Sequence, residues 1–292
     1  MEALRQRQCS TAFVDVDGTN KQQGGFRIQY CVDGKRREGS VSSATGRTEI
    51  DVTIMRADTR EVLASCVCPD KEGESTSGRK MLRQCGKKLL PGIFTFDAGL
   101  TSPRFIHSVT SAGHWYIAAL KGNAGHAFDV AKAGKWNNSK LIAETQNVGH
   151  GRKEVRTIRV LMISAFPSRT FSRYSKSACV IKVTRVVEEK GKQSIEDRYF
   201  IGSRGVSGLK PEEILTHIRQ HWLQENGLHW SKDAVLGEDD LFMHSNKSSQ
   251  LLGFLKSIVV SVAFQMMGSV TKFVDTFAAK PKAMTQLIMR SG

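Results

Sequence analysis

The sequence predicts an α/β fold in which one mixed sheet is flanked by helices and a β-rich insertion precedes a late helix. Three observations predict it. Closely spaced alternating segments open the ordered part of the chain. Two short apolar runs then alternate with helical stretches. Finally, a β-branched, basic stretch gives way to helices that run to the C-terminus.

In order, residues 1–25 are polar and Gly/Gln-rich and read as an N-terminal arm. Phe26-Arg-Ile-Gln-Tyr-Cys-Val-Asp33 alternates apolar and polar residues, as do Glu49–Met55 and Glu61–Val67, so three strands should form an antiparallel meander. Ser77–Leu90 reads as a basic helix. Gly92-Ile-Phe-Thr-Phe-Asp97 is a short buried strand ending in an acid, Ser102–Ala112 a helix, and Trp115–Leu120 a second buried strand. Residues 26–124 would be the first part of the core. Residues 125–204 break the rhythm, with strand candidates at Arg156–Ile163, Cys179–Val187 and Glu196–Ile201, and read as the insertion. Residues 205–292 would complete the core. Pro211, with Glu212 and Glu213 behind it, should start a helix reaching about Leu228. Two more helices are expected over 247–290, broken near Lys280-Pro281. Leu251–Val270, interrupted by Gly253, Lys256, Gln265 and Gly268, reads as a buried core helix rather than a membrane span.

Composition narrows the function. Lys plus Arg number 43 and Asp plus Glu 28, a formal net charge of +15. Such a balance favours a polyanionic partner, DNA or RNA first, because each neutralised phosphate releases a counterion. The stretch His150–Lys176 carries seven Lys/Arg residues against one acid, Glu154. None of the six cysteines is paired as Cys-x-x-Cys, which argues against a zinc module. No apolar run follows Arg5 and Arg7, so no signal peptide is expected and the thiols should be reduced.

Three acids stand out. Asp33 should end the first meander strand and Asp97 the central strand. Glu225 lies seven residues after Ile218, which should return it within about 20° to the buried stripe Ile214, Ile218 and Trp222. An inward carboxylate facing two strand-tip aspartates needs a cation. The oxygen-only set suits Mg²⁺ or Mn²⁺, and two such ions can clamp the attacking and leaving oxygens of a phosphoryl displacement.

These residues carry a family resemblance. Cys31-Val-Asp-Gly-Lys-Arg-Arg-Glu-Gly-Ser40 resembles the first-acid motif of H-repeat-associated insertion-sequence transposases, and Phe94-Thr-Phe-Asp-Ala98 their second-acid strand. His114–Asn123 is similar to the strand that ends in Leu-Lys-Gly-Asn, and Gly149-His-Gly-Arg-Lys-Glu-Val-Arg156 to a His-Gly-Arg segment. Arg219-Gln-His-Trp-Leu-Gln-Glu-Asn-Gly-Leu-His-Trp230 resembles the third-acid helix, and Asp233, Glu238 and Asp239 continue the match. The sequence departs from the family at Arg37-Glu38, Gly99-Leu100 and Gln224, and only about thirty residues precede Asp33 where the family carries a further domain.

The resemblance implies a DDE transposase with a ribonuclease-H-like fold. Asp33, Asp97 and Glu225 would be its catalytic residues and the ligands of two Mg²⁺ or Mn²⁺ ions. It also implies double-stranded DNA, both transposon ends and target, as substrate, a homodimer on that DNA, and a DNA-associated protein of the bacterial cytoplasm with no membrane partner. Phosphate or DNA contacts are expected from Lys35, Arg36, Lys121, Asn123, His150, Arg152, Arg156, Arg219 and His221. Arg37, Arg79, Lys80, Arg83, Lys87 and Lys88 are further candidates, whereas Trp222 and Trp230 read as core. One alternative is a catalytically inactive or truncated DNA-binding remnant. Another is a haloacid-dehalogenase-type phosphatase, since Phe13-Val-Asp-Val-Asp-Gly-Thr19 resembles that nucleophile motif, with Asp15 attacking phosphorus and Asp17 as acid/base.

Overall fold

The computed structural model describes residues 28–37, 49–69, 73–149, 152–237 and 246–280. Nine strands form one sheet: β1 Gln29–Arg37, β2 Glu49–Arg56, β3 Val62–Pro69, β4 Ile93–Phe96, β5 Trp115–Leu120, β6 Leu141–Gly149, β7 Arg152–Met162, β8 Ser177–Glu189 and β9 Lys192–Ser203. Their order across the sheet is β3-β2-β1-β4-β5-β9-β8-β7-β6. β1, β4 and β5 are parallel, and every other pairing is antiparallel. The helices are α1 Glu74–Cys85, α2 Pro103–Ser111, α3 His126–Lys132, α4 Pro211–Leu223, α5 Asn246–Met267 and α6 Val270–Ala278. Two π-helical segments, Gln224–His229 and Ser231–Val235, continue α4.

Side-chain alternation divides the central strands between two faces. Tyr30 and Val32 of β1, and Phe94 and Phe96 of β4, join Met81, Leu82 and Phe105 in the core beneath α1 and α2. Ile93 and Ile117 point the other way and pack on Ile214, Leu215 and Ile218 of α4. On that second face β1 presents Gln29, Cys31 and Asp33, and β4 presents Thr95. These polar residues are buried and must be satisfied by α4.

Local signals explain most element ends. Ser102 caps α2 by accepting from the Phe105 N–H at 3.2 Å, with Pro103 at the first helical position. Pro211 opens α4, and the Glu213 carboxylate accepts from the Lys210 N–H at 2.9 Å. The structure corrects other expectations. The first helix is Glu74–Cys85 rather than Ser77–Leu90. The basic stretch holds four strands, because exposed Leu141–Gly149 pairs with β7, and these strands extend the central sheet through β9 and β5. α5 and α6 are separated at Gly268, where φ is +66°, a break not expected from the sequence; α6 ends at Ala278, next to the expected break at Lys280-Pro281, and residues 281–290 lie outside the described residues. α5 covers β3 only in part: Leu251, Leu255, Ile258 and Met266 are exposed. No single described helix is long and apolar enough to cross a membrane; α5 and α6 pass by length and composition only as a pair bent by 93°.

Candidate active site

The site forms where β1 and β4 end their parallel pairing. The last registered pair is Val32 with Phe96, so Asp33 and Asp97 are the next residues on neighbouring strands, placed side by side on the α4 face. Asp97 follows β4 directly. Asp33 lies within β1 rather than at its end, because β1 continues to Arg37 against β2.

α4 meets this polar row with a ladder of its own. His217, His221, Glu225 and His229 are spaced by four. His217 Nδ1 donates to Gln29 Oε1 at 2.7 Å, and Gln29 Nε2 donates to the His217 carbonyl at 2.7 Å and to Thr95 Oγ1 at 3.0 Å. His221 Nδ1 lies 3.1 Å from Thr95 Oγ1. His229 Nε2 lies 3.4 Å from Asp33 Oδ2, and the Gly34 N–H donates to Asp33 Oδ1 at 2.8 Å. Residues four apart drift by about 40° around an α-helix, and the wider i→i+5 turns at Gln224–His229 take that drift back.

The burial expected for Glu225 is corrected. Gln224 is the fully buried residue, with its amide on Thr53, and Glu225 is exposed at the mouth of a cavity of about 380 Å³ that Asp97, Lys121, His221 and Trp222 also line. Its charge environment ties it to the aspartates. Partial burial, then the charges of Asp33 and Asp97, hold the Glu225 carboxyl above its usual range. For Asp33, burial pushes upward, but the hydrogen bond and charge of His229, the charge of His221 and the Gly34 N–H outweigh it and hold the carboxyl below its usual range. Burial lowers His221, against the opposing pull of Asp33 and Asp97.

The remaining candidates separate. Lys121 ion-pairs with Asp97 at 3.3 Å while staying largely exposed. Asn123 donates to the Ala98 carbonyl at 2.5 Å and braces the turn after Asp97, so its amide is already engaged. Lys35 is held by Asp233. Arg152 and Arg156 both pair with buried Glu154, the first at 3.9 Å. Arg219 is exposed in a second groove with Arg156, Arg185 and Arg198, beside Trp222. Trp222 is therefore not core: it is half-buried, with Arg198 4.6 Å and Arg156 5.8 Å from its ring centre. Trp230 is 55% exposed and is not core either. Lys80, Arg83, Lys87 and Lys88 are exposed on the α1 side, across the sheet from α4. The side chains of Arg36 and Arg37, all of His150, and Asp15 and Asp17 lie outside the described residues.

Sequence reasoning missed His229, which contacts Asp33, and His217. Their signal was the spacing of four through His221 and Glu225, which an apolar stripe centred on Ile218 conceals.

The transposase DDE domain family matches residues 13–261. This chain belongs to that family. The match takes in the Phe13–Thr19 stretch as part of the DDE domain. Among relatives, YhhI of Escherichia coli strain K12, named an H repeat-associated putative transposase, is 28% identical over 247 residues, covering 79% of this chain and 62% of its own length. YncI of Escherichia coli O157:H7, named a putative transposase, is 26% identical over 240 residues, covering 79% and 60%. This DDE domain chain thus spans about 60% of the length of the curated relatives it matches. A piggyBac transposase synaptic complex with hairpin DNA is 10% identical, with a TM-score of 0.45, over 85% of this chain and 51% of the other.

Among the described residues, no three His, Cys, Asp or Glu side chains are already closed around a metal position. The donor set of the DDE domain nevertheless fits a hard divalent cation. Asp33 and Asp97 lie side by side, and the Glu225 carboxyl is pushed upward by partial burial and then by the charges of those two, a repulsion that a cation relieves.

Proposed function

We propose that this protein is a metal-dependent DNA transposase that cleaves and joins DNA at insertion-sequence ends, using Asp33, Asp97 and Glu225. The observation that carries this reading is the pairing of Asp33 and Asp97 where two parallel central strands part, with Glu225 within the field of both, in a member of the DDE family. The strand order β3-β2-β1-β4-β5 with β2 antiparallel supports a ribonuclease-H-like core made of residues 26–124 and 205–292, with 125–204 inserted.

Asp33, Asp97 and Glu225 would hold two Mg²⁺ or Mn²⁺ ions. When bound, such ions activate the attacking oxygen and neutralise the leaving one. The chain's own residues do the rest. His229 and the Gly34 N–H fix the two oxygens of Asp33. Lys121 offsets the charge of Asp97 until DNA arrives, and then stands free to meet a phosphate. Arg156, Arg185, Arg198 and Arg219 line a groove that shares Trp222 with the acid cavity, so a backbone lying there passes directly into it. Transposition joins two DNA ends, so a homodimer on DNA is the working assembly.

The test is Mn²⁺-dependent nicking of supercoiled plasmid by the intact chain, Asp97→Asn and Asp15→Asn. Nicking lost only in Asp97→Asn supports the reading. Nicking lost only in Asp15→Asn transfers the chemistry to the phosphatase-like motif, and no nicking by the intact chain points to an inactive DNA-binding remnant.

A further inference from the structure

His221 has one ring nitrogen bonded to the sheet and the other buried without a hydrogen-bond partner among the described residues. The Thr95 hydroxyl has one proton and two acceptor positions. Gln29 Nε2 fills one acceptor position at 3.0 Å. The hydroxyl proton has two acceptors in reach, Cys31 Sγ at 3.5 Å and His221 Nδ1 at 3.1 Å, while the Cys31 thiol itself points to the Gln220 carbonyl at 3.8 Å. With the hydroxyl proton turned to Cys31, Thr95 accepts from His221 and Nδ1 carries the ring proton across the 3.1 Å contact, the tautomer that a cation at Nε2 would select. Nε2 then keeps a bare lone pair. That nitrogen is buried and has no hydrogen-bond partner among the described residues. The ring lines the acid cavity together with Asp97 and Glu225, and the charges of Asp33 and Asp97 act on it.

A lone pair within the field of two carboxylates is repulsive, and a cation drawn in between them turns that repulsion into ligation. Metal-bound histidines characteristically donate their other ring N–H to an oxygen, and Thr95 Oγ1 stands where His221 Nδ1–H would donate. We propose that His221 Nε2 is a nitrogen ligand to a divalent cation held by Asp33 and Asp97, and that this nitrogen makes the centre select Mn²⁺ over Mg²⁺. Imidazole suits transition metals, whereas Mg²⁺ favours oxygen ligands alone. The inference rests on the metal-dependent reading above and assigns a ligand beyond the three acids.

The experiment is pulsed electron paramagnetic resonance of Mn²⁺ added to the intact chain, with natural-abundance and ¹⁵N-histidine-labelled protein. His221→Gln, His229→Gln and Asp97→Asn are compared, and Mn²⁺ and Mg²⁺ affinities are read by calorimetry. A directly bound ¹⁴N signal is expected, replaced by the ¹⁵N pattern on labelling, lost in His221→Gln and kept in His229→Gln. His221→Gln should weaken Mn²⁺ by about tenfold or more and Mg²⁺ by much less. Asp97-dependent Mn²⁺ binding without nitrogen coupling, or coupling lost only in His229→Gln, overturns the inference and leaves the three-acid site standing. Absence of Mn²⁺ binding, or binding indifferent to Asp97→Asn, overturns both. Nitrogen coupling in the labelled intact chain decides for or against a histidine ligand even if a variant fails to fold.

Discussion

At the scale of one residue, Glu225 shows how a site acid trades stability for charge. Partial burial and the charges of Asp33 and Asp97 raise its carboxyl above the ordinary 4.5. A raised acid binds its proton more tightly in the folded chain than in the unfolded one. The stability this confers is present below the unfolded value and is lost as pH rises through the raised one. At neutral pH the ionised, metal-free Glu225 is therefore a liability. Glu225→Gln should stabilise the metal-free protein at pH 7 and raise its melting temperature, by under about 1 kcal/mol because the group is exposed. The gain should shrink toward zero as pH falls below 4.5. The same variant should lose nicking and keep its DNA affinity. A lower melting temperature at pH 7 would recast Glu225 as a structural residue. His114 works in the opposite direction. Its Nε2–H donates to the Gly86 carbonyl at 2.7 Å and its Nδ1 accepts from the Gly92 N–H at 3.3 Å, joining the end of α1 to the start of β4. Burial lowers its pKa against the pull of the Gly86 bond. Its stabilisation is complete above the ordinary 6.5 and is lost as pH falls through that value toward the depressed one. His114→Ala should cost about 1–3 kcal/mol for each backbone group left unpaired, read by urea denaturation.

At the scale of elements, the π-helical extension of α4 is what sets the site. Gln224 bonds Thr53, His229 meets Asp33, Lys232 pairs with Asp51, and Asp233 pairs with Lys35, so four contacts fasten the extension along β1 and β2. Lys232 and Asp51 are almost wholly buried, and the Ser65 hydroxyl donates to Asp51 at 2.9 Å. Lys232→Met should leave an uncompensated buried carboxylate and cost about 3–5 kcal/mol, while Asp51→Leu combined with Lys232→Met should recover most of it. A denaturation midpoint unmoved by the single change would mean the pair is not buried in solution. Gly205 is a second fixed point. A Cβ there would stand 1.8 Å from the Trp115 ring, so Gly205→Ala should displace the ring and destabilise by about 1–3 kcal/mol or more. These elements also show what sequence can and cannot disclose. Asp97 was legible because a four-residue apolar strand ends on it, and the meander because its strands alternate. The exposure of Glu225 and the burial of Gln224 were not legible, because the heptad argument assigns a helix face without saying whether that face is covered, and nothing local marks Gln224–His229 as π-helical. β6 was missed because its residues are largely exposed and carry no apolar run.

At the scale of the whole molecule, the sheet separates two basic surfaces that a net charge of +15 cannot distinguish. The α1 face carries exposed Lys80, Arg83, Lys87 and Lys88, while the α4 face carries Arg156, Arg185, Arg198 and Arg219 next to the acids. Not all of the second group is available. Glu154 pairs with Arg156 and, at 2.7 Å, with Arg185, and Glu196 pairs with Arg198 at 2.7 Å. Burial lowers Arg156, Glu154 opposes that shift, and the neighbouring charges of Arg219 and Arg185 add to it, a sign of positive charge in excess of its local partners. Arg219 is exposed among these paired groups, so it is the residue whose loss should register most clearly on DNA. Each phosphate neutralised contributes about 0.9 to the slope of log affinity against log salt. Arg219→Ala should therefore weaken binding to duplex DNA and reduce that slope by about 1. Arg104→Ala removes the same charge from the exposed side of α2, on the opposite face, and should leave the slope unchanged. Equal slopes in both variants and the intact chain would remove the groove from the DNA path. Equal reductions in both would make net charge, rather than the α4 face, the source of affinity.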